Sequence, residues 1–274
     1  MHAIKTRLKI FLIIFFALIV TGTLGFMFIE NRSLIDSAYF VIITMATVGY
    51  GDVHPVTQSG KIFTIILVIM GVGTFLGVIG NLTEFMLAKR EIESRMEKLN
   101  MVIGVFFSEV GMGLMDMFSK YDPDFDIIRP ELIITGQWTD RDFHNAGEDA
   151  HKHNYGVDIS KVDLENLKKF LFEKRSFLVR LLENPVLMEH QSFTDLLRAT
   201  FHLTEELAYR NDFVNLPKPD GDHLAVDIKR VFHLIVSEWL DYIKYLKKNY
   251  PFLFSLALRT NPFDDKAAVV INKT

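Results

Sequence analysis

Thr47-Val48-Gly49-Tyr50-Gly51 sets a glycine at every second position of its second half. Carbonyls of consecutive residues can all point to one side only when backbone dihedrals alternate between right- and left-handed values, and glycine takes φ > 0 without steric cost. Rings of such carbonyls, drawn from several chains, replace the water around a dehydrated cation. A second group with chemical capacity is His144, Glu148 and His151, spaced i, i+4 and i+7 and so stacked on one helical face, with Asp149 and His153 close by. Imidazole and carboxylate at that spacing suit a borderline divalent ion such as Zn2+, and a regulatory metal or pH sensor there competes with the plainer reading of a solvated polar face. Glu148-x-x-His151 also matches half of the di-iron bundle motif, but the second half is missing. His202 with Glu205 and Glu206, and His233 beside an apolar stripe, read as structural. No Ser/His/Asp arrangement, phosphate-cradling glycine loop or pair of catalytic carboxylates stands out, so the sequence points away from an enzyme.

Long apolar segments must position the Thr47 run. Of the 274 residues 49% are hydrophobic, more than a soluble globule of this size needs. The excess is local: Ile10 to Phe28 gives 19 residues without a charge and Ile62 to Thr83 another 22. At about 1.5 Å per residue each crosses a hydrocarbon core roughly 30 Å thick. The first run is longer than a signal-peptide core and no A-x-A site follows it. Lys5, Arg7 and Lys9 precede the first run and Lys89, Arg90, Arg95 and Lys98 follow the second, whereas only Arg32 and Lys61 lie between. Both termini are therefore expected in the cytoplasm. The net charge of −4 gives no reason to expect nucleic acid, and without cysteine there is no disulfide, thiolate metal site or cysteine nucleophile.

Between the two runs, Ser33 and Asp36 are spaced like a helix N-cap and its N3 partner. A helix from about Leu34 to Met45 is too short to span, so it enters, stops partway and turns back. Non-helical backbone at that depth must be buried in protein or line water. The helix also aims its negative dipole end at the ion path.

Thr44-x-x-Thr47-x-Gly49-Tyr50-Gly51-Asp52, in this topology, resembles the signature of potassium channels, and helix, pore helix, filter, helix resembles their two-transmembrane pore module, over roughly residues 8 to 88. The resemblance implies that Thr47, Val48, Gly49 and Tyr50 contribute the K+-coordinating carbonyls, with the Thr47 hydroxyl completing the innermost site, and that Gly51 and Asp52 shape the outer mouth. Tyr50 implies selection of K+ over Na+. Ala46 departs from the family's more usual threonine, and Ile43 stands where some members carry a glutamate. With one filter segment per chain, three further copies complete the ring as a homotetramer in a lipid bilayer. The resemblance implies a multi-pass protein of the cell inner membrane.

By its spacing from the filter, Gly71 resembles the family's hinge glycine, while Gly73, Gly77 and Gly80 read as helix-packing residues. Phe75, Ile79 and Thr83 recur every four residues and would line the cavity and its cytoplasmic mouth; lipid-facing positions are the alternative. Glu84 would either concentrate cations or snorkel to interfacial water. The expected division is a pore domain over 1–88 (membrane helices about 8–28 and 61–87, pore helix about 34–45, filter 47–52), a helical linker over 89–100 and a cytoplasmic helical domain over 101–274.

The cytoplasmic part resembles no named regulatory family. "MVIGVFFSEVGMG" lacks the glycines of a nucleotide-binding turn and fits a helix, with a degenerate Rossmann-like start as the alternative. "ELIIT" reads as a short strand or an extended linker, and Thr139 as a helix cap. Amphipathic helices are expected at Val162 to Glu183, Ser192 to Tyr209 and Asp222 to about Arg259, the last with Leu224, Ile228, Val231, Ile235, Trp239, Tyr242 and Leu246 on one stripe and a kink at Pro251. "ENPVLMEHQ" is a linker and "DDKAAVVINKT" a loose tail. The predicted fold is mainly α: a pore with re-entrant helix and filter, plus a helical bundle. The bundle would bias the gate in response to an unidentified cytoplasmic ligand, ion or partner. The alternatives are a module for assembly alone and a membrane-anchored metal-binding bundle.

Overall fold

The computed structural model describes residues 2–188 and 190–270. The fold is mainly α, with no β-strand among the described residues. The chain divides into two compact units, Met1–Ser94 and Arg95–Thr274.

In the first unit, α1 (His2–Glu30) and α3 (Gln58–Phe106) are long and apolar enough to cross a membrane, and the short α2 (Leu34–Met45) lies between them. Phe26 of α1 stacks on Phe40 of α2 with ring centroids 4.0 Å apart, and Val41, Met45 and Leu67 complete a small core. Much of the remaining apolar surface is uncovered: Phe16, Phe28 and Ile69 are each at least 70% exposed. Apolar side chains turned outward along two such helices suit contact with lipid. Glu30 ties the end of α1 to the entry of α3: its carboxylate accepts from the Val56 and Thr57 N–H groups, each at 3.0 Å, and from the Thr57 hydroxyl at 2.7 Å. Gly60 is required there, because a Cβ would fall 1.8 Å from Glu30 Oε1.

In the second unit the "MVIGVFFSEVGMG" stretch is helical throughout, and no Rossmann-like strand starts there. It comprises the end of α3, a π-helical segment at Phe107–Gly111, and α4 (Met112–Ser119). Ile103, Phe106, Phe107, Val110, Leu114, Met117 and Phe118 share one face of it, and all are buried except half-buried Met117. A short α5 (Phe125–Ile128) and a 3-10 turn (Arg129–Leu132) follow. "ELIIT" is therefore a connector, not a strand. α6 (Asp140–Lys152) opens on a full capping box between Thr139 and Asp142. α7 (Leu164–Leu182) is capped by Asp163, α8 (Pro185–Met188) is one turn, and α9 (Gln191–Ala208) is capped by His190. Glu189, within the expected "ENPVLMEHQ" linker, lies outside the described residues, as do positions 271–274 of the expected tail.

The single long helix expected from Asp222 to Arg259 is two helices, α10 (Lys218–Asn249) and α11 (Pro251–Arg259). Tyr250 takes φ −139° between them, since a residue before proline is pushed out of the α region and Pro251 offers no N–H to continue the ladder. α10 packs on α6, α9 and α11, and the expected stripe is buried except for half-buried Tyr242. Trp239, Phe118, Phe125, Phe193 and Phe232 fill one continuous core.

Candidate ion pathway and polar clusters

The Ser33 hydroxyl accepts from the Asp36 N–H at 3.1 Å and fixes the start of α2. The helix ends where Ala46 N–H reaches the Ile42 carbonyl at 2.9 Å and Thr47 N–H reaches the Thr44 carbonyl at 3.1 Å. The Ile43 carbonyl then accepts from both Val48 (2.9 Å) and Gly49 (3.2 Å), holding the start of the next segment against the helix end. From there the backbone alternates: φ is +61° at Thr47, +52° at Gly49 and +81° at Gly51. Glycine makes two of the three left-handed positions free of cost. Thr47 is β-branched, and its φ is strained by about 1–3 kcal/mol. Val48 and Tyr50 are 51% and 74% exposed, so the run lies on the surface of the single chain. Asp52 is held by the Tyr39 hydroxyl, which donates to Oδ2 at 2.9 Å.

On α3, Gly71 is buried beside Met45 at the end of α2, where an added Cβ would come within 2.6 Å of Met45 Cγ. Gly77 likewise meets Phe11, whereas Gly73 and Gly80 have no atom within 4 Å of an added Cβ, so the packing expected of those two has no partner in this chain. Phe75 is half-buried, its ring 5.9 Å from that of Phe15 on α1, and Ile79 and Thr83 are exposed. Glu84 pairs with Arg7 at 2.8 Å.

The expected metal group on α6 is only half assembled. His144 Nε2 lies 3.4 Å from Glu148 Oε1, but Lys152 Nζ holds the same carboxylate at 2.8 Å, and the hydrogen bond to that lysine keeps the Glu148 carboxyl below its usual range. His151 instead packs edge-on against His233 of α10, centroids 5.1 Å apart. Burial, and then the charge of His151, lower the His233 pKa.

Two clusters were not foreseen. Asp122 and His153 form a buried pair at 3.0 Å, with the Tyr155 ring 4.7 Å from the imidazole; burial and the Asp122 charge push the Tyr155 hydroxyl far above its usual range. His202 of α9 meets His223 and Asp227 of α10, all three offering ligand atoms within 4.8 Å of one another. The sequence signal for this second cluster was a matched pair of i, i+4 spacings, His202 with Glu206 and His223 with Asp227, which mean little until the two helices are paired.

Comparison with known proteins matches the two units separately. Residues 13–88 match the family described as "Ion channel", and residues 95–259 match the family described as "Uncharacterized protein MJ1433, C-terminal helical domain". Uncharacterized protein MJ1433 of Methanocaldococcus jannaschii is 46% identical over 187 residues, 68% of this chain and 75% of that protein. Potassium channel protein 1 of the same organism is 28% identical over 147 residues, 50% of this chain and 44% of the relative. The voltage-gated potassium channel Kch of Escherichia coli is 50% identical over 44 residues, 16% of this chain and 11% of the relative. The chain thus spans less than half the length of either channel. An ion channel passes ions and transforms no substrate, so the chain is not an enzyme; it carries the pore module of potassium channels in the membrane and belongs to the family defined by the C-terminal helical domain of MJ1433.

Proposed function

We propose that the chain forms a homotetrameric, K+-selective pore. Thr47, Val48, Gly49 and Tyr50 lend main-chain oxygens to dehydrated K+, and Gly51 and Asp52 hold the outer mouth. The observation that carries this reading is the left-handed φ at each of Thr47, Gly49 and Gly51, directly after the helix that ends at Met45. A backbone that alternates in this way turns successive carbonyls to one side, and four copies around an axis give the rings that replace an ion's water. Exposure of Val48 and Tyr50 in the lone chain also fits a segment that is completed by neighbours.

In this reading residues 1–88 are the pore domain, 89–100 a helical linker and 101–274 a cytoplasmic regulatory domain, in a multi-pass protein of the cell inner membrane with both termini in the cytoplasm. Gly71 is the hinge of α3; Ile79 and Thr83 line the gate, with Phe75 seated on Phe15 above them. The helical domain biases that gate when it binds a ligand or ion.

Reversal potentials of the purified full chain in bilayers under unequal K+ and Na+ test the pore: a potential that follows the K+ gradient supports it, and equal permeability overturns it. Crosslinking in lipid should give four chains. Removing residues 101–274 should change open probability; poor assembly with unchanged gating would make the domain an assembly module instead.

A further inference from the structure

His202 and Glu206 occupy the last two turns of α9, and His223 and Asp227 the second and third turns of α10, so the closing end of one helical hairpin collects two imidazoles and two carboxylates. His202 Nε2 and His223 Nε2 each lie 3.4 Å from Asp227 Oδ2. Glu206 stands a little further off, Oε1 at 3.9 Å from His202 Nε2 and Oε2 at 3.7 Å from His223 Nε2. The edge of a tetrahedron around an ion bound at about 2.0–2.1 Å is about 3.3–3.4 Å, so the two histidine–aspartate spacings already have the length that a tetrahedral centre requires.

Asp227 supplies the second, independent observation. Its side chain is 2% exposed, yet Oδ2, the oxygen turned to both imidazoles, has no hydrogen-bond partner. A buried carboxylate oxygen left unsatisfied is costly, and a cation between it and the imidazoles would satisfy it. The other oxygen, Oδ1, accepts from Arg230 at 3.1 Å, which fixes the orientation of the carboxylate. Arg210 donates to Glu206 Oε2 at 2.7 Å and is itself gripped by Asp220 at 2.6 Å. Arginines that grip the carboxylates in this way fix how those groups face an ion. Both histidines are about half-exposed, which leaves an entry path from solvent.

We propose that His202, His223 and Asp227, with Glu206 closing the fourth corner, bind one borderline divalent cation of the Zn2+ class and clasp α9 to α10. Two imidazoles favour such an ion over Mg2+ or Ca2+, whose sites are built from oxygen ligands. The proposal is independent of what the pore conducts.

The test uses the full chain in detergent, stripped with chelator and titrated with Co2+ and then Zn2+. One ion per chain is expected, with the intense visible bands of tetrahedral Co2+ displaced by Zn2+, and with a thermal midpoint that rises with free Zn2+. Because losing only a group that hydrogen-bonds to a metal ligand costs about 10–100-fold in affinity, His202→Ala and His223→Ala should each weaken binding by at least about 100-fold, and Glu206→Gln by less. His144→Ala should bind as the parent does. Helical circular dichroism of each variant establishes that it folds, and His202→Gln and His223→Gln replace any alanine variant that does not. Absence of saturable Zn2+ binding, octahedral Co2+ spectra, or unchanged affinity in the folded His202 and His223 variants would overturn the proposal.

Discussion

Replacing Gly49 by alanine separates the backbone requirement of the filter from packing. A Cβ at Gly49 meets no atom within 4 Å, so in this chain nothing is in the way, and the cost comes from φ +52° alone. For an L-residue that cost is about 1–2 kcal/mol, a factor of about 5–30 in the population of the filter conformation. Four chains around one axis raise it to about 4–8 kcal/mol. Gly73 is the matched control: it too has open space around an added Cβ, but it lies within α3 and has no left-handed φ, so alanine there should stabilise by about 0.5–1 kcal/mol. The assay compares thermal stability in KCl and in NaCl, and reversal potentials in bilayers, for the parent and both variants. Gly49→Ala should lose most of the extra stability that K+ gives and should conduct K+ and Na+ with little distinction, while Gly73→Ala keeps both properties. A Gly49→Ala protein that retained K+-dependent stability and selectivity would refute the reasoning, because the left-handed backbone would then not be what holds the ion.

Trp239 is 2% exposed and packs edge-on against Phe263, centroids 5.2 Å apart, so Trp239→Ala should cost about 3–5 kcal/mol and lower the unfolding midpoint of the helical unit by about 6–20 °C, read by circular dichroism of the full chain in detergent. His233 has a pKa below the usual 6.5 because burial and then His151 disfavour its charged form. The unfolded chain therefore takes up a proton before the folded one does, and stability that is whole above pH 6.5 is lost as pH falls towards the lowered native value. His233→Gln should flatten that part of the stability–pH curve; an unchanged acid limb between pH 7 and 5 would show that His233 does not contribute.

Local rules carried much of this molecule. Two uncharged runs of sufficient length, Ser33 and Thr139 at helix starts, and the apolar stripe from Leu224 to Leu246 each report on residues within a few positions of one another, and the caps and the buried stripe are present as local spacing suggests. Where the local signal was ambiguous, the rest of the fold chose between its readings. The expected helix ran on past Pro251 with a kink there, but the constraint of proline on Tyr250 ended it at Asn249, and of the two readings of "ELIIT" the extended connector is the one found, since no strand among the described residues is there to pair with it.

The sequence by itself determined that glycine would permit a left-handed backbone at positions 49 and 51, because that permission resides in the residue. Only the tertiary structure decided that Thr47 takes the same conformation against its own preference, since hydrogen bonds from the next residues to the Ile43 carbonyl hold it there. In the same way His202 and His223, 21 positions apart, became one cluster with Asp227 only when α9 and α10 packed. The group expected on α6 lies on one helix, where Lys152 pairs with Glu148 and the His151 ring packs on His233 of α10. Spacing along a helix fixes which side chains share a face; which of them remain free to bind is set by the partners that packing brings.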